Sequence, residues 1–196
     1  MRSLYKMCKT EQSARRQRRL EEGLLSLMQQ KTYGEISISE LCDTLMIPRK
    51  SFYRYFSGKD GALYALIDHT LMDYESFSQP YDSDQHRTLE SDMQRFFSFW
   101  AEKKPFLDAL ARSDMSSLLV ERSIQHAQKE AGGLQRFLPV ENRGMGKYVI
   151  MFGVCGLMTM VLDWHRSGYE ESPEQLARIA ARLISTPLFP NVESHF

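Results

Sequence analysis

The chain contains the run Ser37-Ile-Ser-Glu-Leu-Cys-Asp-Thr-Leu-Met-Ile-Pro-Arg-Lys-Ser-Phe-Tyr-Arg-Tyr-Phe56, followed by Ser57-Gly-Lys-Asp60. Ser37 and Glu40 have the spacing of a capping box, in which two side chains satisfy backbone N–H groups at the start of a helix. Pro48 suits the first position of a second helix, because proline has no N–H to donate. The run therefore predicts two short helices joined by a tight turn at Met46 and Ile47.

Each of these predicted helices has one apolar side. Ile38, Leu41 and Leu45 recur at intervals of three and four in the first helix, and Phe52 and Phe56 lie four apart in the second. The other side chains of the second helix are cations, hydroxyls and aromatics that we expect to lie on or near its outward side: Arg49, Lys50, Ser51, Tyr53 and Tyr55. This combination predicts a helix-turn-helix that touches DNA.

The run resembles the DNA-binding half of the TetR family of one-component bacterial transcription regulators (TetR/AcrR type). That family's signature is a capped helix, a turn, and a short helix ending in Tyr-x-x-Phe near a Lys; here Tyr53, Phe56 and Lys59 match it. The resemblance implies that Lys59, at the start of the next helix, holds a phosphate. It also implies that several side chains approach the major groove or the DNA backbone: Ser37, Ser39, Arg49, Lys50, Ser51, Tyr53 and Tyr55.

The turn departs from the family pattern in two places. Family members usually have Gly where this chain has Met46, and commonly a small residue where it has Leu45. We therefore expect the turn to reach its geometry without the freedom of glycine at positive φ.

Charge is unevenly distributed along the 196 residues. The whole chain has 25 Lys and Arg and 25 Asp and Glu, yet residues 1–60 carry 12 basic against seven acidic side chains. The basic side chains that precede the helix-turn-helix are Lys6, Lys9, Arg15, Arg16, Arg18 and Arg19. An isolated basic cluster is typical of a solvated helix face or a tail. Beside a helix-turn-helix it predicts an arm and first helix that lie along DNA phosphates.

The rest of the chain has helical patterns and no convincing alternating strand pattern. Besides the two short helices, we expect helices over 11–31, 59–77, 88–104, 105–111, 116–137, 147–167 and 173–185, with a polar boundary at 79–84. The predicted fold class is all-α. Residues 1–58 are expected to form a three-helix DNA-binding domain. Residues 59–196 are expected to form a helical bundle for effector binding and dimerisation, linked through the helix that starts near Lys59.

The C-terminal part carries a second resemblance. An apolar helix over Tyr148–Trp164, a stop at Gly168 and the start Ser172-Pro-Glu-Gln175 are similar to the last two helices of a TetR-family branch. In that family the two helices pair with their copies in a second subunit, which implies a homodimer. Gly153 and Gly156 permit close approach of another helix, which belongs either to a second subunit or to the same chain.

Aromatic and methionine side chains are concentrated in the C-terminal part. Such side chains form either an adaptable apolar pocket or an ordinary core. The family resemblance favours a pocket for a small-molecule effector that the sequence does not identify, with these candidate ligand-binding residues: Met93, Phe96, Phe97, Trp100, Phe106, Met115, Met151, Phe152 and Cys155. No His, Asp and Glu cluster has metal-ligand spacing, so neither a metal nor another cofactor is predicted.

Cysteine spacing and hydropathy address the cellular compartment. Cys8, Cys42 and Cys155 are far apart and fit no zinc spacing, which predicts three ordinary thiols. There is no run of about eighteen uninterrupted apolar residues and no secretory pattern at the N-terminus. We therefore expect a soluble, cytoplasmic protein without a membrane partner.

Two functions of different classes were weighed. The first is a ligand-responsive regulator, most often a repressor in this family, that binds a palindromic operator in double-stranded DNA as a homodimer. The second is an all-α enzyme or small-molecule carrier. The chain has no Gly-rich phosphate loop, nucleophile elbow or His-Glu-x-x-His motif, so an enzyme is not predicted. An activator of the same fold is a further alternative, and the operator sequence and regulated genes do not follow from the motifs.

Overall fold

A computed structural model describes residues 5, 10–78, 88–134 and 146–186, with the side chains of 130–134 left aside. In that part of the chain the structure has nine α-helices and no strand. They are α1 Glu11–Met28, α2 Ile38–Thr44, α3 Arg49–Tyr55, α4 Lys59–Ser78, α5 Leu89–Glu102, α6 Lys104–Arg112, α7 Ser116–Leu134, α8 Gly146–Arg166 and α9 Pro173–Ser185. The all-α prediction is confirmed. The predicted boundary at 79–84, the end of the helix predicted to reach 137, and Lys6, Cys8 and Lys9 lie outside the described residues.

The chain forms two compact units, residues 1–73 with 105–129 and residues 74–104 with 130–196. The first unit contains α1 to α3 and most of α4, α6 and α7, and the second contains α5, α8 and α9. The predicted boundary between residues 58 and 59 separates a DNA-binding part from an effector-binding and dimerisation part. These compact units do not test a division by function, so that boundary stays a prediction. The compact units group α4 up to Asp73 with the helix-turn-helix.

The core of the first unit forms where the apolar sides of α1 to α4 face one another. Its side chains that are no more than 2% exposed include Leu20, Leu24, Met28, Ile36, Leu41, Phe52, Phe56, Leu63 and Ile67. Between α1 and α2 the approach is close, because a Cβ atom placed on Gly23 would lie only 2.6 Å from Leu45 Cδ1. The chain therefore accommodates a large Leu45 by having a glycine opposite it.

The turn after α2 has the hydrogen bonds of a Schellman motif. The N–H of Met46 donates to the carbonyl of Asp43 at 3.1 Å, and the N–H of Ile47 donates to the carbonyl of Cys42 at 2.9 Å. Met46 has φ 53°, in the left-handed region that favours glycine. Its side chain is 88% exposed, so only the backbone is constrained. The turn thus forms without glycine, as expected.

The second unit has an aromatic core in which α5 packs against α9. Phe96, Phe97, Phe99 and Trp100 of α5 are buried, and the Phe97 ring centroid lies 5.9 Å from that of Trp164 in α8. The predicted stop and start between α8 and α9 are confirmed. Gly168 has φ 80°, while Ser172 caps α9 in a capping box with Gln175 and is followed by Pro173.

Among the described residues α8 is the one helix that is long and apolar enough to cross a membrane, by length and composition only. Most of it is not buried by the rest of the chain. A helix that pairs with another protein helix passes the same test, so α8 does not by itself indicate a membrane protein. A Cβ atom on Gly153 or Gly156 would meet nothing within 4 Å among the described residues, so neither glycine serves close packing against that part of the chain.

Lys59 connects the start of α4 to the segment between α1 and α2. Its ammonium donates to the carbonyls of Tyr33 and Ile36, both at 2.6 Å, and lies 4.2 Å from the centroid of the Tyr33 ring. Burial lowers the pKa of Lys59, against a smaller opposing effect of Asp60. The Tyr33 hydroxyl donates to Asp60 Oδ1 at 2.6 Å. Lys59 therefore helps to hold the entry of the helix-turn-helix in place.

Replacing Lys59 by Met tests this structural role. The methionine keeps most of the side-chain length and leaves the two carbonyls without their charged donor, so we expect the free energy of unfolding to fall by about 1–3 kcal/mol. Urea denaturation followed by circular dichroism measures the loss. Lys50→Met removes an equal charge from an exposed site and should change stability by less than about 0.5 kcal/mol. Equal losses in the two variants would contradict the role.

Candidate nucleic-acid interface

Helix α3 presents a polar, cationic side to solvent. Arg49, Lys50 and Tyr53 are exposed and Ser51 is half-buried, so the structure places these four candidates at or beside an accessible surface. Arg54 is also exposed and was missed by the sequence analysis. It could have been found from its spacing, because it lies four residues after Lys50 and so on the same side of a helix.

The outward placement of Tyr55 is wrong. Tyr55 is only 4% exposed, and its ring centroid lies 6.3 Å from that of Phe56. The physical reason is helical periodicity, since positions 52, 55 and 56 are three and four residues apart and share one side. The Tyr55 ring therefore packs inward with Phe52 and Phe56, and these three aromatic side chains anchor α3 to the rest of the first unit.

The start of α2 is capped by Ser37 as expected, but Glu40 does not complete the predicted capping box. Ser37 Oγ accepts from the N–H of Glu40 at 3.1 Å, Ser37 is exposed, and Ser39 is half-buried. The expectation that Glu40 reaches back to the start of α2 is wrong. Its carboxylate forms an ion pair with Lys31, and the hydrogen bond from Lys31 lowers the pKa of Glu40. The long lysine side chain competes successfully for the carboxylate because it brings a full charge.

The Lys59 ammonium, which was predicted to contact a DNA phosphate, is occupied by hydrogen bonds within the chain. The ammonium binds the two carbonyls described above and is half-buried. A contact between Lys59 and DNA stays a prediction, to which the structure adds an internal role.

The arginines of α1 fall into two groups. Arg15 pairs with Glu11 at 2.6 Å and Arg18 pairs with Asp73 at 2.7 Å. Arg16 and Arg19 are exposed, and the guanidinium of Arg19 donates to the carbonyl of Leu45 at 3.2 Å. Arg19 thereby connects α1 directly to the turn that precedes α3.

A buried polar network in the first unit was also missed. Asp68 of α4 accepts from the Tyr5 hydroxyl at 2.5 Å and from Arg122 Nε of α7 at 2.8 Å. Next to it, His69 Nδ1 lies 2.8 Å from a carboxylate oxygen of the fully buried Glu21 in α1. Nothing in the local sequence signals these contacts, because their partners are 48 to 63 residues apart.

The candidate ligand-binding residues are distributed over both units. In the second unit Phe96, Phe97 and Trp100 are buried and meet, with ring centroids 5.2 Å apart for Phe96 and Phe97 and 6.3 Å apart for Phe96 and Trp100. Met93 lies half-buried on the same helix. Two further candidate ligand-binding residues lie in the first unit: Phe106, which is buried, and Met115, which is half-buried.

The remaining candidates, Met151, Phe152 and Cys155, lie on the solvent side of α8. They line an open depression of about 820 Å³ together with Tyr148 and Met160. Phe152 is 73% exposed. These three residues are therefore placed on a broad apolar surface and not in the buried aromatic cluster of α5.

Among the described residues, no set of three His, Cys, Asp or Glu side chains is placed to hold a metal ion.

Comparison with solved structures supports the fold. The fatty acid degradation regulator FadR from Bacillus halodurans superposes with a TM-score of 0.63 at 10% identity, over 93% of this chain and 98% of that one. A tetR-family transcriptional regulator from Streptomyces coelicolor has a TM-score of 0.57 at 20% identity, over 86% and 78%. The dihydroxyacetone kinase operon activator DhaS has a TM-score of 0.57 at 15% identity, over 86% and 93%. At these identities the likeness shows a shared fold.

Comparison of sequences identifies the family. No curated protein matches the chain significantly. The family model TetR_C_8, described as the C-terminal region of transcriptional regulators, matches residues 87–186, which is just over half of the chain. Together with the helix-turn-helix geometry of α2 and α3, this match shows that the chain belongs to the TetR family of transcriptional regulators, which are DNA-binding proteins and not enzymes.

Proposed function

We propose that this regulator binds a palindromic operator as a homodimer, with α3 of each copy in the major groove. The observation that carries the proposal is the division of α3 into two sides. Arg49, Lys50, Tyr53 and Arg54 are exposed, while Phe52 anchors the helix at 0% exposure. Arginine and lysine can donate to guanine O6 and N7 in the major groove or bind phosphates. A DNA-binding role would place the protein in the cytoplasm, with the chromosome.

The proposed dimer rests on the unpartnered apolar surface of α8 and α9. Large apolar side chains of these two helices are between 44% and 73% exposed: Tyr148, Val149, Phe152, Ile179, Leu183 and Ile184. Large apolar side chains exposed in this number mark a protein interface. Gly153 and Gly156 have no close neighbour in the part of the chain that the structure describes, which favours the second-subunit alternative for their role. A two-fold pair of such surfaces would form a closed, symmetric dimer.

The dimer would set the spacing of the two α3 helices. Successive major grooves on one side of duplex DNA are about 34–36 Å apart, so only a dimer with that separation can occupy both half-sites. Anything that shifts the population toward another separation lowers DNA affinity.

We further propose an apolar small-molecule effector that binds at the aromatic cluster of α5. The support is chemical. The indole Nε1 of Trp100 is buried and has no hydrogen-bond partner within residues 10–78, 88–134 and 146–186, and the aromatic rings around it suit an apolar ligand. A buried donor without a partner is costly, and a ligand acceptor would satisfy it. Met151, Phe152 and Cys155 are reassigned to the dimer surface in this proposal.

The sign of regulation is left to experiment. The family resemblance implies repression most often, whereas one protein with this fold is named as an operon activator. Repression is therefore retained as a prediction for this chain, and activation is the alternative.

Replacing Arg49 by Ala tests the assignment of α3 as the helix that reads bases. We expect a loss of about 1–3 kcal/mol in binding to the operator, with relaxed preference at one base pair, because a bidentate contact to guanine is removed. Fluorescence anisotropy with DNA that flanks the coding region, compared with random DNA of equal length, measures both effects. Equal losses on the two DNAs would reject base reading by Arg49. Failure of the native protein to bind either DNA at low salt would reject the function itself.

Replacing Phe152 by Glu tests the dimer. A carboxylate at the centre of an apolar interface lacks a partner there, so we expect monomers in sedimentation equilibrium and at least a tenfold loss of operator affinity. Ser117→Glu adds the same charge on the exposed side of α7 and should leave the dimer intact. A Phe152→Glu protein that is still dimeric, with unchanged helix content, would place the interface elsewhere.

A thermal-shift screen of apolar small molecules tests the effector. A ligand at 100 times its Kd should stabilise the folded protein by about 2.7 kcal/mol, which raises Tm. Trp100→Phe keeps an aromatic ring and removes the N–H donor, so we expect acceptor-bearing hits to bind it about fivefold more weakly. Hits that bind both proteins equally would place the effector away from Trp100.

A further inference from the structure

The first unit contains a cavity at the edge of α3 that is lined by three arginines. It has a volume of about 220 Å³, and its walls include Arg16 and Arg19 of α1, the turn from Met46 to Pro48, and Ser51 and Arg54 of α3. Its described lining residues include no Asp or Glu. The cavity is therefore a concentration of positive charge around a small open space.

The three guanidinium groups differ from their neighbours in how they are paired. Arg15 and Arg18, on the same helix, bind carboxylates at 2.6 and 2.7 Å. Within the described part of the chain, none of the three cavity arginines forms an ion pair with a carboxylate. Like charges brought together without a counter-charge repel one another, which favours occupation of the space between them by an anion.

The cavity is also partly pre-organised. Arg19 is held at the rim by its hydrogen bond to the carbonyl of Leu45, 3.2 Å away. That carbonyl belongs to the C-cap of α2, just before the turn at Met46. The position of this guanidinium is thus fixed relative to α3 before any ligand arrives, which reduces the entropy that binding must overcome.

The position of Arg54 brings the cavity next to the proposed DNA-reading side of α3. At about 100° per residue, Arg54 lies about 40° from Lys50 around the helix axis, and Ser51 lies about 60° further on. The exposed Arg54 therefore stands between the outward side, with Lys50, and the cavity wall, with Ser51.

We infer that this cavity binds a phosphate group of the DNA backbone beside the groove that α3 enters. The guanidinium fork matches phosphate oxygens in two parallel hydrogen bonds, and the Ser51 hydroxyl adds a donor. Contacts to phosphate fix the register of a protein on DNA without reading its sequence. Arg16, Arg19 and Arg54 would thus position α3, while Arg49 reads bases. The inference rests on the DNA binding proposed above, and the same phosphate chemistry could also admit free inorganic phosphate.

The experiment measures DNA affinity of the full chain against salt concentration for the native protein, Arg16→Gln and Arg112→Gln. Arg112 is an exposed arginine of α6 outside the cavity, so its variant controls for the loss of one charge. For Arg16→Gln we expect the slope of log affinity against log salt to become shallower by about 0.9, with about a fivefold weaker affinity near 0.15 M salt. The loss should be equal on operator and random DNA. Arg112→Gln should match the native protein.

A second measurement distinguishes the sources of phosphate. Thermal melts of the same three proteins in inorganic phosphate, against sodium chloride of equal ionic strength, report binding without DNA. A shallower slope for Arg16→Gln supports the inference. An unchanged slope overturns the DNA contact, and a phosphate-induced rise of Tm that Arg16→Gln abolishes would then assign the cavity to free phosphate. If the native protein binds no DNA, the proposed function fails, and the melts alone decide whether the cavity binds phosphate.

Discussion

A seven-residue helix can bury only one of its sides. The structure of the first unit depends on which side chains of α3 take the buried positions. Phe52, Tyr55 and the adjoining Phe56 occupy the inward positions, where their buried rings pack on one another, and α3 packs against α2. Every other position of so short an element is left for polar groups. Arg49, Lys50, Tyr53 and Arg54 are exposed as a direct result. The aromatic anchor and the DNA-reading side proposed for α3 are two outcomes of one helical period.

The orientation of that helix is set by groups that do not belong to it. The turn at Met46 closes with a left-handed residue and two backbone hydrogen bonds, and Leu45 fits against Gly23 of α1. Arg19 then attaches α1 to the carbonyl of Leu45. A substitution at Gly23 would reach α3 through Leu45, even though Gly23 is itself buried. The first helix is in this sense part of the DNA-binding apparatus.

Features of the structure could be predicted from the sequence when the residues that cause them lie close together in the chain. Helix ends followed from Ser37, Pro48, Gly168 and Ser172, because caps and turns act over three or four residues. Tyr55 was misplaced within such a window, since Phe52 and Phe56 were considered without the residue three after Phe52. Contacts between distant parts of the chain had no local signal. They include Lys59 on the carbonyls of Tyr33 and Ile36, Asp68 with Tyr5 and Arg122, and the meeting of Arg16, Arg19 and Arg54. The surface proposed for the dimer could be predicted only in part: the apolar character of α8 is in the sequence, but its exposure is a property of the fold.

Tyr5 stands ahead of α1, yet it forms a β-bridge with Phe56 and donates to the same carboxylate that Arg122 holds. Tyr5 is consequently fastened at the C-terminal end of α3 and at the middle of α4. Trimming the chain to begin at Thr10 would remove both fastenings and leave Asp68 with Arg122 as its partner.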